Sequence, residues 1–283
     1  MRVKFWGTRG SVPTPGRATE KYGGNTTCVE ITAQDHDQDQ DRRQDHRLIL
    51  DAGTGIRELG LVLAEEGPSA SAMVFSHLHW DHIQGLPFFT PLFLKGFEIT
   101  IFAPAQLKSP LMKVLNKQMA TDVFPVDFAD LSADIRFETL AKKGITTGPF
   151  RITAQPQMHP GGSWGYRVVA EGRTVYYSTD NETDPDAGAD VHAQQIAAYR
   201  GANLLVVDGQ YTQHEYPSRR GWGHGVLEHV TTLALEAGVD RVAVTHHDPM
   251  RDDEDLVALE RRIRKLSPDL QLFFARDGLA VEV

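Results

Sequence analysis

Ser76-His77-Leu78-His79-Trp80-Asp81-His82 packs three imidazoles and a carboxylate into the hexad from His77 to His82. It follows the apolar run Ala72-Met73-Val74-Phe75, which predicts a buried strand. A strand that ends in His-x-His-x-Asp-His delivers its donors into one small volume just beyond its tip. Neutral imidazole suits zinc and other first-row metals, and a carboxylate widens the choice to manganese or iron. The chain holds 12 His in 283 residues, so three in one hexad beside an aspartate is not the even scatter of a polar loop. The segment predicts a metal site.

Working outward, the length is enough for a large buried core, and a hydrophobic fraction of 41% is ordinary for a globular protein. No apolar run reaches the roughly 18 residues of a membrane span, so no membrane contact is expected. Met1 to Gly7 reads as a strand without the apolar core of a signal peptide, and a cytoplasmic setting is expected. The single Cys28 excludes an intramolecular disulfide and is expected in the core. A net charge of -9 disfavours a broad basic surface for duplex or tRNA and leaves room for a small anionic substrate. The acidic run Asp252-Asp253-Glu254-Asp255 is expected to lie away from the site.

Strands are predicted at Val3–Trp6, Thr27–Thr32, Leu48–Asp51, Phe97–Phe102, Ile135–Glu138, Phe150–Ala154, Tyr166–Ala170, Thr174–Ser178, Leu204–Asp208, Arg241–Thr245 and Leu270–Ala275. Helices are predicted at Gly55–Glu66, Leu107–Met119, Val191–Tyr199, Val226–Ala237 and Asp253–Leu266, and from Ile83 towards Leu94 with breaks at Pro87 and Pro91. Residues 33–47 are low-complexity and polar, and are expected to form a solvated hairpin tip with His36 and His46 on the surface. This order predicts a single domain over 1–283, an αββα sandwich of two mixed sheets flanked by helices.

Three further donors stand at predicted strand ends. His159 follows Phe150–Ala154, Asp180 follows Thr174–Ser178, and His246 and His247 follow Arg241–Thr245. Singly, a strand-end aspartate is a turn former or helix cap. Together with the hexad they fill a two-metal site, which takes about seven or eight protein ligands and an open position. One metal can take His77, His79 and His159, the other Asp81, His82 and His246, and Asp180 can bridge. Two metals about 3.5–4 Å apart lower the pKa of a bridging water and clamp the attacking and leaving oxygens.

The hexad, the later His159, Asp180 and His246, in this order, resemble the metallo-β-lactamase superfamily over nearly the whole chain. Gly7-Thr8-Arg9-Gly10-Ser11-Val12-Pro13-Thr14 and Gly23-Gly24-Asn25-Thr26-Thr27-Cys28 resemble the branch containing RNase Z and cyclic phosphodiesterases. The resemblance implies the same division of ligands, two divalent ions (zinc, with manganese or iron as alternatives), and Asp81 in both the metal and the catalytic sets. It prefers His246 to His247, which stays open as ligand or support. Resemblance to RNase Z implies that His224, in Gly221-Trp222-Gly223-His224-Gly225, protonates the leaving oxygen. Asp208 is expected to orient that imidazole, although Asp208-Gly209-Gln210 departs from the RNase Z pattern.

Arg219, Arg220 and Trp222 precede His224 and are expected to bind substrate, the guanidinium forks on phosphate and the indole on a base. Arg9 and Asn25 are expected to face the site. The combined expectation is a dinuclear metal-dependent phosphodiesterase acting on a small anionic phosphodiester such as a cyclic nucleotide or cyclic dinucleotide. A lactonase or other ester or thioester hydrolase on the same fold and an RNase Z-like tRNA endonuclease are the alternatives. A flavin-linked di-iron scaffold is disfavoured, because it replaces a hexad histidine by a carboxylate. A homodimer, and the metal identity, stay open.

Overall fold

Two strand-rich halves of the chain each build one sheet. The computed structural model describes residues 1–37 and 42–283. The first half gives β1 (Arg2–Gly7), β2 (Cys28–Asp37), β3 (Arg42–Leu50), β4 (Ala70–Val74), β5 (Glu98–Pro104) and β6 (Asp134–Leu140). The second gives β7 (Ile145–Thr147), β8 (Phe150–Gln157), β9 (Ser163–Ala170), β10 (Arg173–Ser178), β11 (Leu204–Asp208), β12 (Arg241–Thr245) and β13 (Gln271–Phe274). The short β14 (Ala280–Glu282) crosses back to pair with β1. The sheet orders are β14-β1-β2-β3-β4-β5-β6 and β13-β12-β11-β10-β9-β8-β7. In each sheet the strands from β3 to β6, or from β10 to β13, run parallel and the rest antiparallel.

The two sheets face each other. Val3, Phe5, Ile31 and Leu50 meet Phe150, Tyr166, Val168 and Val206 in one inner core. Helices α1 (Ile56–Glu66) and α3 (Ala105–Gln118) cover the outer face of the first sheet, and α2 (Trp80–Ile83) is the single turn that carries the end of the hexad. Helices α4 (Ala189–Tyr199), α5 (Leu227–Glu236) and α6 (Asp253–Leu266) lie with the second sheet. The αββα sandwich expected from the sequence is the fold observed. Covering both faces explains the composition of the central strands: all five residues of β11 are buried, as parallel strands under helices require. Each such Leu or Val contributes about 1.5–3 kcal/mol relative to an exposed one.

Two expectations are corrected. The helix from Ile83 to Leu94 does not form; α2 stops at Ile83, and 3₁₀ turns follow at Leu86–Phe88 and Thr90–Phe93. Pro87 and Pro91 lack the N–H a helix needs, and Gly85 is wedged where a Cβ would lie 2.0 Å from the Gly53 carbonyl. Residues 33–47 are largely paired strand, because β2 and β3 stay in register as far as Asp37 opposite Arg42. The tip itself, residues 38–41, and the side chain of His36 lie outside the described residues. His46 packs on Gly148, where a Cβ would come within 2.5 Å of its Nδ1.

Topology places the site. Leu50 pairs with Val74, so Asp51 and the hexad leave the first sheet side by side. Ser178 pairs with Val207 and Asp208 with Thr245, so Asp180, Asp208 and His246 leave the second sheet side by side. These are carboxyl ends of parallel strands, the usual place for ligands in such sheets.

Candidate metal centre

The hexad is shaped by its anchors. Phe75 is fully buried, the Ser76 N–H donates to Asp51 Oδ1 at 2.7 Å, and the Ser76 carbonyl accepts from the Trp164 N–H at 2.9 Å. The His82 N–H turns back to the His79 carbonyl at 3.1 Å and starts α2, on which Asp81 and His82 are carried. The donor atoms then fall into overlapping clusters: His77, His79 and His159; Asp81, His82 and His246; and His77, His82 and Asp180. Asp180 faces both halves. Its Oδ1 lies 3.8 Å from His77 Nε2 and 3.8 Å from His159 Nε2, while Oδ2 lies 3.0 Å from His82 Nε2 and 3.2 Å from His246 Nε2.

These residues fit divalent cations on the chemistry of their donors. His79 Nδ1 and His159 Nε2 face each other at 3.0 Å, and His82 Nε2 and His246 Nε2 at 3.3 Å. Among the described residues, buried His77 Nε2 has no hydrogen-bond partner. Buried polar atoms left so are costly unless a cation collects them. Charge tells the same story. Burial, then His82, holds His77 well below its ordinary range, and burial lowers His159, so both are neutral donors. Burial works against ionising Asp81 and Asp180, yet neighbouring His82 and His246 hold both carboxyls well below the usual range. Burial also opposes a charge on His246, but Asp180, Asp81 and Asp208 outweigh it and push the imidazole up to about 9. The pocket calls for positive charge.

The supports are largely backbone and second-layer side chains. Asp51 Oδ2 accepts from His82 Nδ1 at 2.8 Å, from the Tyr177 hydroxyl at 2.7 Å and from Ser76 Oγ at 2.8 Å. This fixes the His82 tautomer with Nε2 towards the cluster. The Ser11 N–H donates to Asp81 Oδ2 at 2.7 Å. Ser11, Asp51, Asp180 and His246 all sit in the left-handed region, with φ of 64°, 62°, 54° and 58°. Such residues cost about 1–3 kcal/mol each and persist only where their surroundings impose them. Gly10 is one imposer: a Cβ there would lie 2.4 Å from His246 Nδ1.

His224 and Asp208 are brought together. His224 Nδ1 lies 2.8 Å from Asp208 Oδ2, and the ring stacks on His246 with centroids 5.0 Å apart. His224 lines a chamber of about 590 Å³ with His79, Tyr211, Arg219, Trp222 and Met250. Arg219 lies over the Tyr211 ring at 5.1 Å. His247 points elsewhere: it donates from Nε2 to the Ala275 carbonyl at 2.8 Å and stacks on Phe274, and burial pushes its pKa down to about 3.

Three residues expected to bind substrate or face the site are held by other contacts. Arg220 is exposed and pairs through Nη2 with Asp184 at 3.2 Å and with Asp186. Asn25 is taken up in its loop, its side-chain oxygen accepting from Thr54 Oγ1 at 3.1 Å and its N–H donating to Asp277 at 3.0 Å. Arg9 is fully buried and binds the carbonyls of Gly23, Asp248 and Arg251, so it braces loops. Asp51, the Ser11 N–H and Glu182 escaped the sequence reading. Asp51 carried the same signal as Asp180, an aspartate at a strand end.

Residues 46–247 match the family model described as a beta-lactamase superfamily domain. A curated relative, ribonuclease Z of Gemmatimonas aurantiaca, is 23% identical over 330 residues, covering 100% of this chain and 96% of the relative. Among solved structures, a diphosphatase from the PhnP family superposes with a TM-score of 0.69 at 18% identity, covering 100% of this chain and 97% of that one. Unliganded yeast PDE1 superposes with a TM-score of 0.65 at 14% identity, covering 100% and 99%. With that model spanning most of its length and donors gathered at the open end of its αββα frame, the chain belongs to the metallo-β-lactamase superfamily and is a metal-dependent hydrolase.

Proposed function

We propose that the protein is a phosphodiesterase that hydrolyses a small anionic phosphodiester, a cyclic nucleotide or cyclic dinucleotide. Two zinc ions would be held by His77, His79 and His159 and by Asp81, His82 and His246, with Asp180 available to both. The observation that carries this reading is the His224–Asp208 pair beside the metal cluster, on the wall of the chamber that holds Arg219 and Trp222. When bound, the ions supply a water of lowered pKa and neutralise charge on phosphate oxygens.

The chain's own residues do the rest. Asp208 accepts the Nδ1 proton of His224 and sets the tautomer, so that Nε2 exchanges a proton with the leaving oxygen. A thioester, with its good leaving group, has less need of such an acid, which favours a substrate that expels a sugar alkoxide. Arg219 is held over Tyr211 and offers its guanidinium to a non-bridging oxygen. Trp222, 58% exposed, offers an indole face to a base.

A ribonuclease Z-type activity is the second reading, favoured by the name of the relative. Two observations support the smaller substrate. The net charge is -9, and the alignment spans 330 residues where this chain has 283, so the relative carries segments that this chain lacks. The test is a turnover screen of zinc-loaded protein on cyclic mononucleotides, cyclic dinucleotides, tRNA precursors and lactones. Turnover of a cyclic substrate is expected; activity on lactones alone sinks the phosphodiesterase reading, and activity on tRNA precursors alone establishes the second.

A further inference from the structure

The strand exit that carries Asp180 also grips the loop that carries His224. Glu182 stands two residues beyond Asp180 and is half-buried. Its Oε1 accepts from the Tyr216 hydroxyl and from the Gly221 N–H, both at 2.6 Å, and its Oε2 accepts from the Gly223 N–H at 3.2 Å. Gly223 in turn accepts, through its carbonyl, the Nδ1–H of His159 at 2.8 Å. A carbonyl can only accept, so this bond fixes the His159 tautomer and leaves Nε2 as the donor aimed at His79 and Asp180. There is no slack in the chain of contacts: Gly223 has a φ of +87°, and a Cβ on it would lie 2.2 Å from His159 Nδ1. One carboxylate therefore sets both the loop between Tyr216 and Gly223, with Arg219 and Trp222 on it, and the orientation of one metal ligand. The other half of the centre has separate supports, Asp51 on His82 and the Ser11 N–H on Asp81.

We propose that Glu182 is a positioning residue that couples the substrate-facing loop to the His77–His79–His159 half of the metal centre through Gly223. The inference rests on the two-metal reading of the site. Substrate that shifts the loop is felt at His159, and a cation on His159 steadies the loop.

The test is a zinc titration of full-length wild type, Glu182→Gln and Arg220→Ala against a chromophoric chelator, with the histidine Nδ1–H region of the proton NMR spectrum as a second readout. In Glu182→Gln the amide oxygen keeps the two donors of Tyr216 and Gly221, and the NH₂ is turned on the Gly223 N–H, donor against donor. One of two binding events is expected to weaken roughly tenfold or more, as for loss of a ligand's support, with the other unchanged. The hydrogen-bonded Nδ1–H resonance of His159 is lost. Arg220→Ala loosens the exposed end of the same loop and leaves both events in place. Two unchanged events in Glu182→Gln overturn the proposal, and so does equal weakening of both with a lowered Tm, which marks a merely structural role. If wild type binds fewer than two zinc ions, the two-metal reading falls instead, and retention of the His159 resonance in Glu182→Gln then decides against the coupling.

Discussion

His224 shows how a single residue acquires a role from its neighbours. Asp208 occupies its Nδ1, so only Nε2 is left to act on a substrate. His224→Ala is expected to lower kcat/KM about 10²–10⁴-fold on a diester with an alkoxide leaving group, and far less on a p-nitrophenyl diester, whose leaving group needs no proton. Equal losses on both, compared in steady-state assays, would refute the acid role. Asp277 shows the opposite case, a carboxyl held for structure. It accepts from the Asn25 N–H at 3.0 Å and from Thr8 Oγ1 at 3.3 Å, and burial pushes its pKa up to about 6. Because the folded value lies above the ordinary carboxyl range, the folded state keeps a proton that the unfolded chain has released. Stability is then full below about pH 4 and falls as pH rises through 6. In Asp277→Asn the amide oxygen accepts from the Asn25 N–H and the NH₂ donates to Thr8 Oγ1, whose own hydrogen goes to the Tyr22 carbonyl, so the variant escapes that loss and gains on wild type by roughly 2 kcal/mol between pH 4 and 7, after discounting for partial exposure. Denaturant midpoints at the two pH values measure it, and a difference independent of pH counts against it.

At the scale of an element, α6 is the helix that its sequence describes most completely. Asp252 Oδ1 accepts from the Asp255 N–H at 2.9 Å, Asp255 returns the bond to the Asp252 N–H at 3.3 Å, and Arg264 and Lys265 lie in the last turn. Leu256, Leu259 and Ile263 repeat on one buried face. The acidic run is thus a helix cap at the N-terminus of a macrodipole. Asp252→Ala is expected to cost about 1 kcal/mol and lower Tm by roughly 2 °C without changing metal uptake. A cost near zero in thermal denaturation means that the capping box does not stabilise α6. Strands with a continuous apolar run, such as β11, were equally legible. The helix expected after the hexad was not, because two prolines and the close approach of Gly85 to Gly53 decide its end, and the second of these is a tertiary contact. β2 and β3 extend beyond their apolar stretches because a hairpin ladder needs only backbone partners.

For the molecule as a whole, the metal centre joins the two sheets. The hexad leaves the first sheet, and His159, Asp180 and His246 leave the second, so cations placed between them tie the halves of the sandwich together. Stripping with a chelator leaves Asp81 and Asp180 ionised and buried, and Tm is expected to fall. Zinc at a thousandfold excess over its Kd restores about 4 kcal/mol, since a ligand bound only by the folded state stabilises it by mass action. A Tm indifferent to chelator and zinc removes the centre from the stability of the fold. The sequence by itself determined the family, the sandwich and the donors that meet at its open end, because ligand type and strand-end position are local properties that survive in a linear text. Only the tertiary structure decided which residues attend them. Parallel register set Asp180, Asp208 and His246 abreast, and left-handed backbone at His246 and Asp51 aimed their side chains. Burial turned Arg9 into a brace and His247 towards the core, while Asp184 and Asp186 drew off Arg220. Those outcomes depend on what lies across the cleft from each residue, which no spacing along one chain records.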